Sequence, residues 1–329
     1  MNIRDIAARC HVSVATVSRV LNEHPSVSPK TREKVLRVMR EEGYTPNAFA
    51  RGLGLDSMRM VGIVCADVAN PFYSRAVALL EGSLRAKGFD TLLCCSGTQL
   101  KDKQKCLTLL LEKRVDAIML VGSAFCEQTD NRHIQRAAEQ LPLFLINAQL
   151  PLENVTCVLC DEREAIHDLV MQMAPQCKIP LYLHDMTKWA WAGECKLQGF
   201  LDGLHDAHLL HDADRVQAVE NGVLSAQQCV EGLLDRGISF DGVIASEDLL
   251  AVGALKALTK HGIELPIVGF NNSMLCDCTM PSLSSMDNML HALCPMAVDM
   301  LLRRLAGETQ PRVVSVQAQL VQRETYRAS

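Results

Sequence analysis

The sequence predicts an α/β protein in which an all-α N-terminal segment precedes two doubly wound parallel sheets. Two short helical patterns around a polar break open the chain between Asn2 and Asn22. From Met60 onward, short apolar runs alternate with amphipathic helical stretches, a pattern typical of parallel sheets with right-handed crossovers. The 329 residues suffice for a headpiece of about 60 residues and two packed α/β lobes.

The alternating region divides into two series of strands and helices. The first series includes a predicted strand at Met60–Ala66 and a predicted helix at Cys106–Lys113. The second series begins with a predicted helix at Glu164–Met173. A helix at Leu290–Leu305 and a strand at Val313–Gln317 are predicted near the C-terminus.

The opening patterns predict a helix-turn-helix. Apolar residues recur at helical spacing from Ile3 to Ala7 and again from Val14 to Leu21, and Ser13 is a typical N-cap for the second helix. In a helix-turn-helix the second helix lies in the major groove of DNA. Amphipathic helix pairs also occur in proteins that do not bind DNA, so the interpretation depends on the segments that follow.

The second helix supplies the first set of candidate DNA contacts. Arg19 can donate two hydrogen bonds to O6 and N7 of a guanine, whereas Val14 and Ala15 can contact a thymine methyl group. Hydroxyl groups and backbone amides can hold phosphates. The predicted DNA-binding residues here are Ser13, Val14, Ala15, Thr16, Ser18, Arg19 and Asn22.

Four consecutive motifs in the first 53 residues carry a family resemblance. They are Thr-Val-Ser-Arg-Val-Leu-Asn, Val-Ser-Pro-Lys-Thr-Arg-Glu-Lys-Val, a Gly-Tyr-Pro-Asn motif with one inserted residue, and Ala-Arg-Gly-Leu. In this order they resemble the headpiece of the LacI/GalR family of bacterial transcriptional regulators. The resemblance implies a repressor that binds a palindromic operator as a homodimer under the control of a small-molecule effector, a sugar or sugar derivative.

The resemblance also implies a hinge helix that binds the minor groove. The segment from Asn47 to Gly54 is too short to form a stable helix alone in water, so we expect it to order on DNA and pack against its dimer mate. Leu53 would wedge into a central base step and bend the duplex. A passive linker is the alternative. The predicted contacts in this segment are Asn47, Ala50, Arg51 and Leu53.

Further landmarks extend the resemblance over the rest of the chain. They include Asn-Pro-Phe-Tyr at 70–73, Gly-Phe at 199–200, and Ile-Val-Gly-Phe at 267–270. They imply a two-lobed periplasmic-binding-protein-like body with chain crossovers near Cys160, Asn288 and Leu320. The predicted domains are a headpiece (1–46), a hinge helix and linker (47–59), and an effector-binding and dimerisation domain (60–329), with one lobe at about 60–159 and 289–319 and the other at about 160–288 and 320–329.

Ligands of such sheets bind beyond the carboxyl ends of the strands. Aromatic residues there can grip the apolar face of a sugar, or they can simply pack. Two positions depart from the family pattern: Lys196 replaces an arginine, and Asn271 replaces an acidic residue. For Asp161 and Glu247, helix capping competes with ligand contact. The predicted effector-binding residues are Asp67, Phe72, Tyr73, Asp161, Trp191, Lys196, Glu247, Asn271 and Asp287.

Charge and hydropathy agree with a cytoplasmic DNA-binding protein. Residues 1–60 hold ten basic and six acidic side chains, so the headpiece carries +4 of the overall −5 and the remainder carries −9. A basic head on an acidic body suits a protein that meets phosphates at one end. The sequence has no signal-peptide core and no apolar run long enough to span a membrane. Without C-terminal leucine heptads, we expect a dimer.

The fourteen cysteines do not indicate a metal site or a cofactor. Cys157 and Cys160 form a Cys-x-x-Cys, but they lie in a strand pattern that directs their side chains to opposite faces. Ligands to one zinc ion must converge, and the other closely spaced cysteines lack a second pair at zinc-site spacing. We therefore expect structural thiols and no metal.

Two other functions, a solute-binding protein and an enzyme, can be compared with the sequence. A cytoplasmic or exported solute-binding protein would share the two-lobed body but would not need a helix-turn-helix. An enzyme finds little support, because the sequence lacks a Gly-x-Gly-x-x-Gly, a Gly-Lys-Ser and a Gly-x-Ser-x-Gly motif. The nearest approach to a catalytic pair is His184 with Asp185, and no nucleophile accompanies it.

Overall fold

The computed structural model describes residues 2–21, 24–43, 57–128, 130–186, 191–209 and 213–327. The chain divides into two compact units, residues 1–60 with 114–116, and residues 61–113 with 117–329.

The first unit contains a helix-turn-helix and a third helix, as predicted. The helices are α1 (Ile3–Arg9), α2 (Val14–Leu21) and α3 (Pro29–Glu41). Asn2 and Ser28 cap α1 and α3, and Ser13 Oγ accepts a hydrogen bond from the Thr16 amide at the start of α2. The buried core of the unit is formed by Ile6, Ala7, Cys10, Val17, Val20, Val35 and Met39.

The second unit contains two six-stranded sheets. The first has the order β11-β5-β4-β3-β1-β2, with β1 (Met60–Cys65), β2 (Asp90–Cys95), β3 (Ala117–Val121), β4 (Leu143–Ile146), β5 (Val155–Cys160) and β11 (Val313–Val316). The second has the order β12-β10-β9-β8-β6-β7, with β6 (Pro180–Asp185), β7 (Val216–Val219), β8 (Gly242–Ala245), β9 (Ile267–Phe270), β10 (Ser284–Asp287) and β12 (Gln319–Val321). The strand pairs are parallel in both sheets wherever their register is defined, except that β12 runs antiparallel to β10.

Helices lie between the strands of both sheets. They are α4 (Pro71–Ala86), α5 (Leu100–Glu112), α6 (Arg132–Ala138), α7 (Glu162–Met173), α8 (Trp191–Asp206), α9 (Val223–Asp235), α10 (Asp248–Lys260), α11 (Leu275–Cys278) and α12 (Leu290–Leu305), with short 3-10 turns at Ser123–Phe125 and Ala213–Arg215. The chain passes between the sheets after β5, after β10 and after β11. The last crossover ends at Gln319, close to the position expected at Leu320.

Several predicted boundaries are wrong for identifiable reasons. Helix α5 begins at Leu100 rather than Cys106, because its first turns are mostly polar and show little apolar periodicity. Helix α7 begins at Glu162 rather than Glu164, since Asp161 is its N-cap. Strands β10 and β12 were not predicted: β10 reads Ser-Ser-Met-Asp and β12 has three residues, too few for a pattern.

The close packing of α7 on α8 explains the glycine of the Gly-Phe landmark. A Cβ at Gly199 would overlap the backbone carbonyl of Arg163, and a backbone atom cannot move aside as a flexible side chain can. We expect Gly199→Ala to lower the free energy of unfolding by about 1 to 3 kcal/mol. Urea denaturation followed by circular dichroism measures this.

Gly232 in α9 provides the matched control. A Cβ there meets nothing within 4 Å. The same substitution should therefore raise the free energy of unfolding by about 0.5 to 1 kcal/mol, because alanine loses less entropy in a helix. Equal shifts in the two variants would contradict the packing argument.

Candidate functional site

Helix α2 presents the predicted DNA-reading residues on one face. Val17 and Val20 are buried in the headpiece core, whereas Ala15 and Arg19 are exposed and Val14 is 41% exposed. An exposed valine contributes little to the core, which is consistent with an apolar contact to a base. Ser13 lies at the start of the helix, and Thr16 and Ser18 are half-buried beside this face. Asn22, Asn47, Ala50, Arg51 and Leu53 lie outside the described residues.

A cavity of about 730 Å³ lies at the carboxyl ends of the strands of both sheets in the second unit. From the first sheet it is lined by residues such as Asp67 and Gly122, and from the second by Asp185, Glu247 and Asn271. This is the position at which doubly wound sheets bind ligands. It identifies the candidate effector site.

Six of the nine predicted effector residues line this cavity: Asp67, Phe72, Tyr73, Lys196, Glu247 and Asn271. Asp161, Trp191 and Asp287 do not. Asp161 Oδ1 caps α7 by accepting a hydrogen bond from the Glu164 amide (3.2 Å). Asp287 accepts hydrogen bonds from the Met289 amide (2.7 Å) and from Asn272 Nδ2 (3.0 Å). Trp191 begins α8, and it is the next two residues of that helix that reach the cavity.

The aromatic pair is fixed at the start of α4. Asn70 caps the helix by accepting a hydrogen bond from the Phe72 amide (2.8 Å), and the Phe72 and Tyr73 rings contact edge to face at 5.1 Å. Gly122, with φ of +87°, leaves room for the Tyr73 ring, since a Cβ there would come within 2.7 Å of Tyr73 Cε1. The tyrosine ring is therefore held against the end of β3.

Lys196 is buried in the wall of the cavity. The residue is 3% exposed, and its ammonium group donates to the Ser246 carbonyl (3.0 Å) and lies 4.1 Å from the centre of the Phe270 ring. Glu162 and Glu247 lie 3.5 and 3.8 Å from the same nitrogen. Burial by itself would lower the pKa of Lys196, but the two carboxylates outweigh it and the pKa is raised. Lys196 remains a predicted effector-binding residue, and its ammonium group already lies near two carboxylates of the chain.

Glu162 is the more deeply buried partner of that lysine. It is 1% exposed, and burial raises its pKa, opposed by Lys196 and by a hydrogen bond from Asn147 Nδ2 (3.0 Å). Asn147 Oδ1 accepts in turn from the Cys160 amide (3.1 Å). The second carboxylate oxygen of Glu162 has no hydrogen-bond donor among the described residues.

Glu247 has a carboxyl group that titrates near neutrality. Burial raises its pKa to about 7; Lys196 opposes the rise, whereas Asp185, Glu162 and Asp248 add to it. Asn271 Nδ2 donates to Glu247 Oε2 at 2.6 Å. An aspartate at position 271 would instead bring one more negative charge against Glu247. Asparagine at position 271, where the family has an acidic residue, therefore suits the neighbouring Glu247, since it donates a hydrogen bond and adds no negative charge.

Several lining residues are not among the predicted effector-binding residues: Lys103, Glu127, Glu162, Asp185, Asn221 and Ser246. Lys103 is 3% exposed and donates to Glu127 Oε1 (2.5 Å) and to the Ala124 carbonyl, although its polar helix gives no sign of burial. Asp185 accepts a hydrogen bond from Asn221 Nδ2 (2.9 Å). Its position at the carboxyl end of β6 was a signal that could have identified it.

One group among the described residues has the geometry to hold a metal ion. The ligand atoms of Glu164, His167 and Asp168 lie within 4.8 Å of one another near the surface of α7. None of these residues lines the cavity. All fourteen cysteines are free thiols. No helix in the described part of the chain is both long enough and apolar enough to cross a membrane.

Comparison with known proteins finds a matching family model in each of the two units. A family model described as "Bacterial regulatory proteins, lacI family" matches residues 2–47, and one described as "Periplasmic binding protein-like domain" matches residues 179–326. An HTH-type transcriptional regulator of Lachnoclostridium phytofermentans is 42% identical over 332 residues, covering 99% of both chains. The chain belongs to the LacI family of bacterial transcriptional regulators.

Another relative and two solved structures resemble this LacI-family protein over nearly its whole length. The ribose operon repressor of Halalkalibacterium halodurans is 27% identical over 308 residues, covering 92% of this chain and 90% of its own. A lac repressor dimer bound to operator and the anti-inducer ONPF has the same fold, with a TM-score of 0.86 at 22% identity over 99% of this chain and 98% of that one. A CelR–cellobiose complex gives 0.72 at 24% identity over 99% and 100%.

Proposed function

We propose that this LacI-family regulator is a cytoplasmic homodimeric repressor that binds a palindromic DNA operator, and that a small carbohydrate-like effector in the cavity controls it. The proposal that the protein binds DNA rests on the outer face of α2, where Val14, Ala15 and Arg19 are exposed opposite a buried apolar face. Base contacts of this kind read the major groove.

The effector half rests on the cavity between the two sheets. Its volume of about 730 Å³ suits a small molecule, and it combines an aromatic pair with several polar side chains. The names of relatives point in the same direction, since they include a ribose operon repressor and a regulator in complex with cellobiose. A ligand that prefers one arrangement of the lobes would shift operator affinity.

Selection from random double-stranded DNA tests the proposal. The full-length protein should enrich an inverted repeat with two equivalent half-sites, because a two-fold dimer presents its two recognition helices symmetrically. Sedimentation of the protein with the enriched DNA should give two chains per site. Enrichment of no sequence, or of a single asymmetric site bound by one chain, would contradict the proposal.

A further inference from the structure

The cavity carries more negative than positive charge. Among the described residues that line it, carboxylates outnumber ammonium groups by five to two. The carboxylates belong to Asp67, Glu127, Glu162, Asp185 and Glu247, and the ammonium groups belong to Lys103 and Lys196. An anionic ligand would enter against this field.

Neither lysine offers its charge to an incoming anion. Lys103 is 3% exposed and pairs with Glu127 at 2.5 Å. Lys196 is equally buried and is shared between Glu162 and Glu247. Separating either ammonium group from its carboxylate to bind a phosphate would leave a buried charge uncompensated. The two cations therefore hold the wall of the cavity together.

The unsatisfied groups of the lining are hydrogen-bond acceptors. Glu162 Oε2 and Asn221 Oδ1 are both buried, and no residue in the described part of the chain donates a hydrogen bond to either. Burial of such atoms without a partner is costly. A phosphate or carboxylate brings acceptors and cannot relieve them, whereas an ammonium group brings three donors.

The aromatic wall suits a cation as well. Tyr73 is half-buried, and the neighbouring Glu247, Asp185 and Asp67 carboxylates add to the effect of desolvation in raising the pKa of its phenol, so the hydroxyl stays protonated. The faces of Phe72 and Tyr73 attract positive charge through their π systems. Acidic and aromatic groups thus line the same cavity.

We propose that the effector is a polyhydroxylated molecule that carries a protonated amino group, such as an amino sugar. The inference rests on the proposed function, in which this cavity is the effector site. The hydroxyl groups would meet the amide and carboxylate oxygens of the lining, and the ammonium group would lie beside Glu247 and Asp185. Sugar phosphates and sugar acids are excluded by charge, and neutral sugars lack the matching cation.

A matched sugar panel tests the charge class. Melting temperatures of the full-length protein are measured at pH 7.5 with the 2-amino and 6-amino derivatives of glucose, galactose and mannose, with the parent sugars, and with the corresponding 6-phosphates and uronic acids. A ligand that binds the native state raises its melting temperature. We expect at least one amino sugar to bind about tenfold or more tightly than its parent and every anionic form to leave the melting temperature unchanged.

Asp185→Asn tests the charge without changing the size of the side chain. It should weaken amino-sugar affinity about tenfold or more and leave any neutral-sugar affinity within about twofold. Asp235→Asn is the control, since Asp235 is exposed at the end of α9 and does not line the cavity. Equal or tighter binding of a neutral or anionic sugar, or no binding by any amino sugar, would overturn the inference.

Dependence on pH supplies an independent readout. Glu247 faces Lys196 on α8, Glu162 on α7, Asp185 at the end of β6 and Asp248 on its own helix, and its pKa is about 7. It therefore gains a proton as the pH falls from 7.5 to 6. Affinity for a 6-amino sugar, whose own amine stays protonated, should fall about five- to tenfold over this range. Glu247→Gln should abolish the dependence, and an unchanged pH profile in that variant would contradict the role of Glu247.

The same samples separate this inference from the proposed function. Operator affinity is measured with each sugar that binds. If a neutral or anionic sugar changes operator affinity, the inference that the effector carries an amino group is wrong, whereas control of operator binding by an effector is supported. If an amino sugar binds without changing operator affinity, the preference of the cavity for an amino group is supported, and control of operator binding by the effector is contradicted.

Discussion

Replacing Lys196 with alanine should destabilise the second unit by about 3 to 5 kcal/mol. The substitution leaves Glu162 and Glu247 in a buried site without the cation that both contact. Urea denaturation at pH 7.5, with Lys256→Ala as the control, measures the loss. Lys256 is exposed on α10, so its removal should change the free energy of unfolding by less than about 0.5 kcal/mol.

The pH dependence of this loss identifies its cause. Without the ammonium group, the folded-state pKa of both carboxyls rises further above that of the unfolded chain. A carboxyl group with a raised folded-state pKa binds its proton more tightly in the folded protein, so stability falls as the pH rises toward that pKa. The deficit of Lys196→Ala should therefore be larger at pH 8 than at pH 5.5.

A compensating variant separates charge from packing. Lys196→Met keeps much of the side-chain volume, so on its own it should lose nearly as much stability as alanine. Adding Glu162→Gln and Glu247→Gln removes the two carboxylates and should restore part of the loss. A Lys196→Ala protein as stable as the parent, or a deficit independent of pH, would contradict the buried ion-pair account.

Replacing Arg19 with alanine should cost about 1 to 3 kcal/mol of operator affinity per half-site. Arg19 is exposed on the recognition face of α2, and no ion pair within the described residues occupies it. Loss of a bidentate contact to guanine should also relax base preference at one symmetric position of the operator. Fluorescence anisotropy on the selected operator and its single-base variants measures both effects.

Lys34→Ala controls for the loss of one positive charge from the headpiece. Lys34 is exposed on α3, and its removal should weaken binding to all sequences about equally. If Arg19→Ala likewise weakens every sequence by the same factor, Arg19 contacts phosphate and does not read a base.

The sequence predicted the elements whose residues repeat regularly. Strand β1 has a continuous apolar run and was predicted to within one residue, and both ends of helix α12 were predicted. The polar strand β10 and the short strand β12 were missed, because pairing with neighbouring strands defines them and no local pattern does. Helix starts shifted where polar residues or an N-cap begin the helix.

The candidate site was predicted unevenly for a related reason. Aromatic residues and residues at strand ends, such as Tyr73 and Asn271, follow from topology and the family landmarks. The buried charges of Lys103 and Glu162 could not be predicted, because lysine and glutamate in a helix are usually exposed. Their burial depends on partners distant in sequence, Glu127 for the first and Lys196 for the second.

A reciprocal binding measurement tests whether ligand binding in the cavity is coupled to operator binding. The affinity of the full-length protein for its selected operator is measured with and without a saturating amount of the sugar that most raises its melting temperature, and the affinity for that sugar is measured with and without operator. If the cavity and the DNA-binding helices are coupled, the two affinities change by the same factor, about five- to 150-fold. An operator affinity that is unchanged at saturating sugar would contradict this coupling.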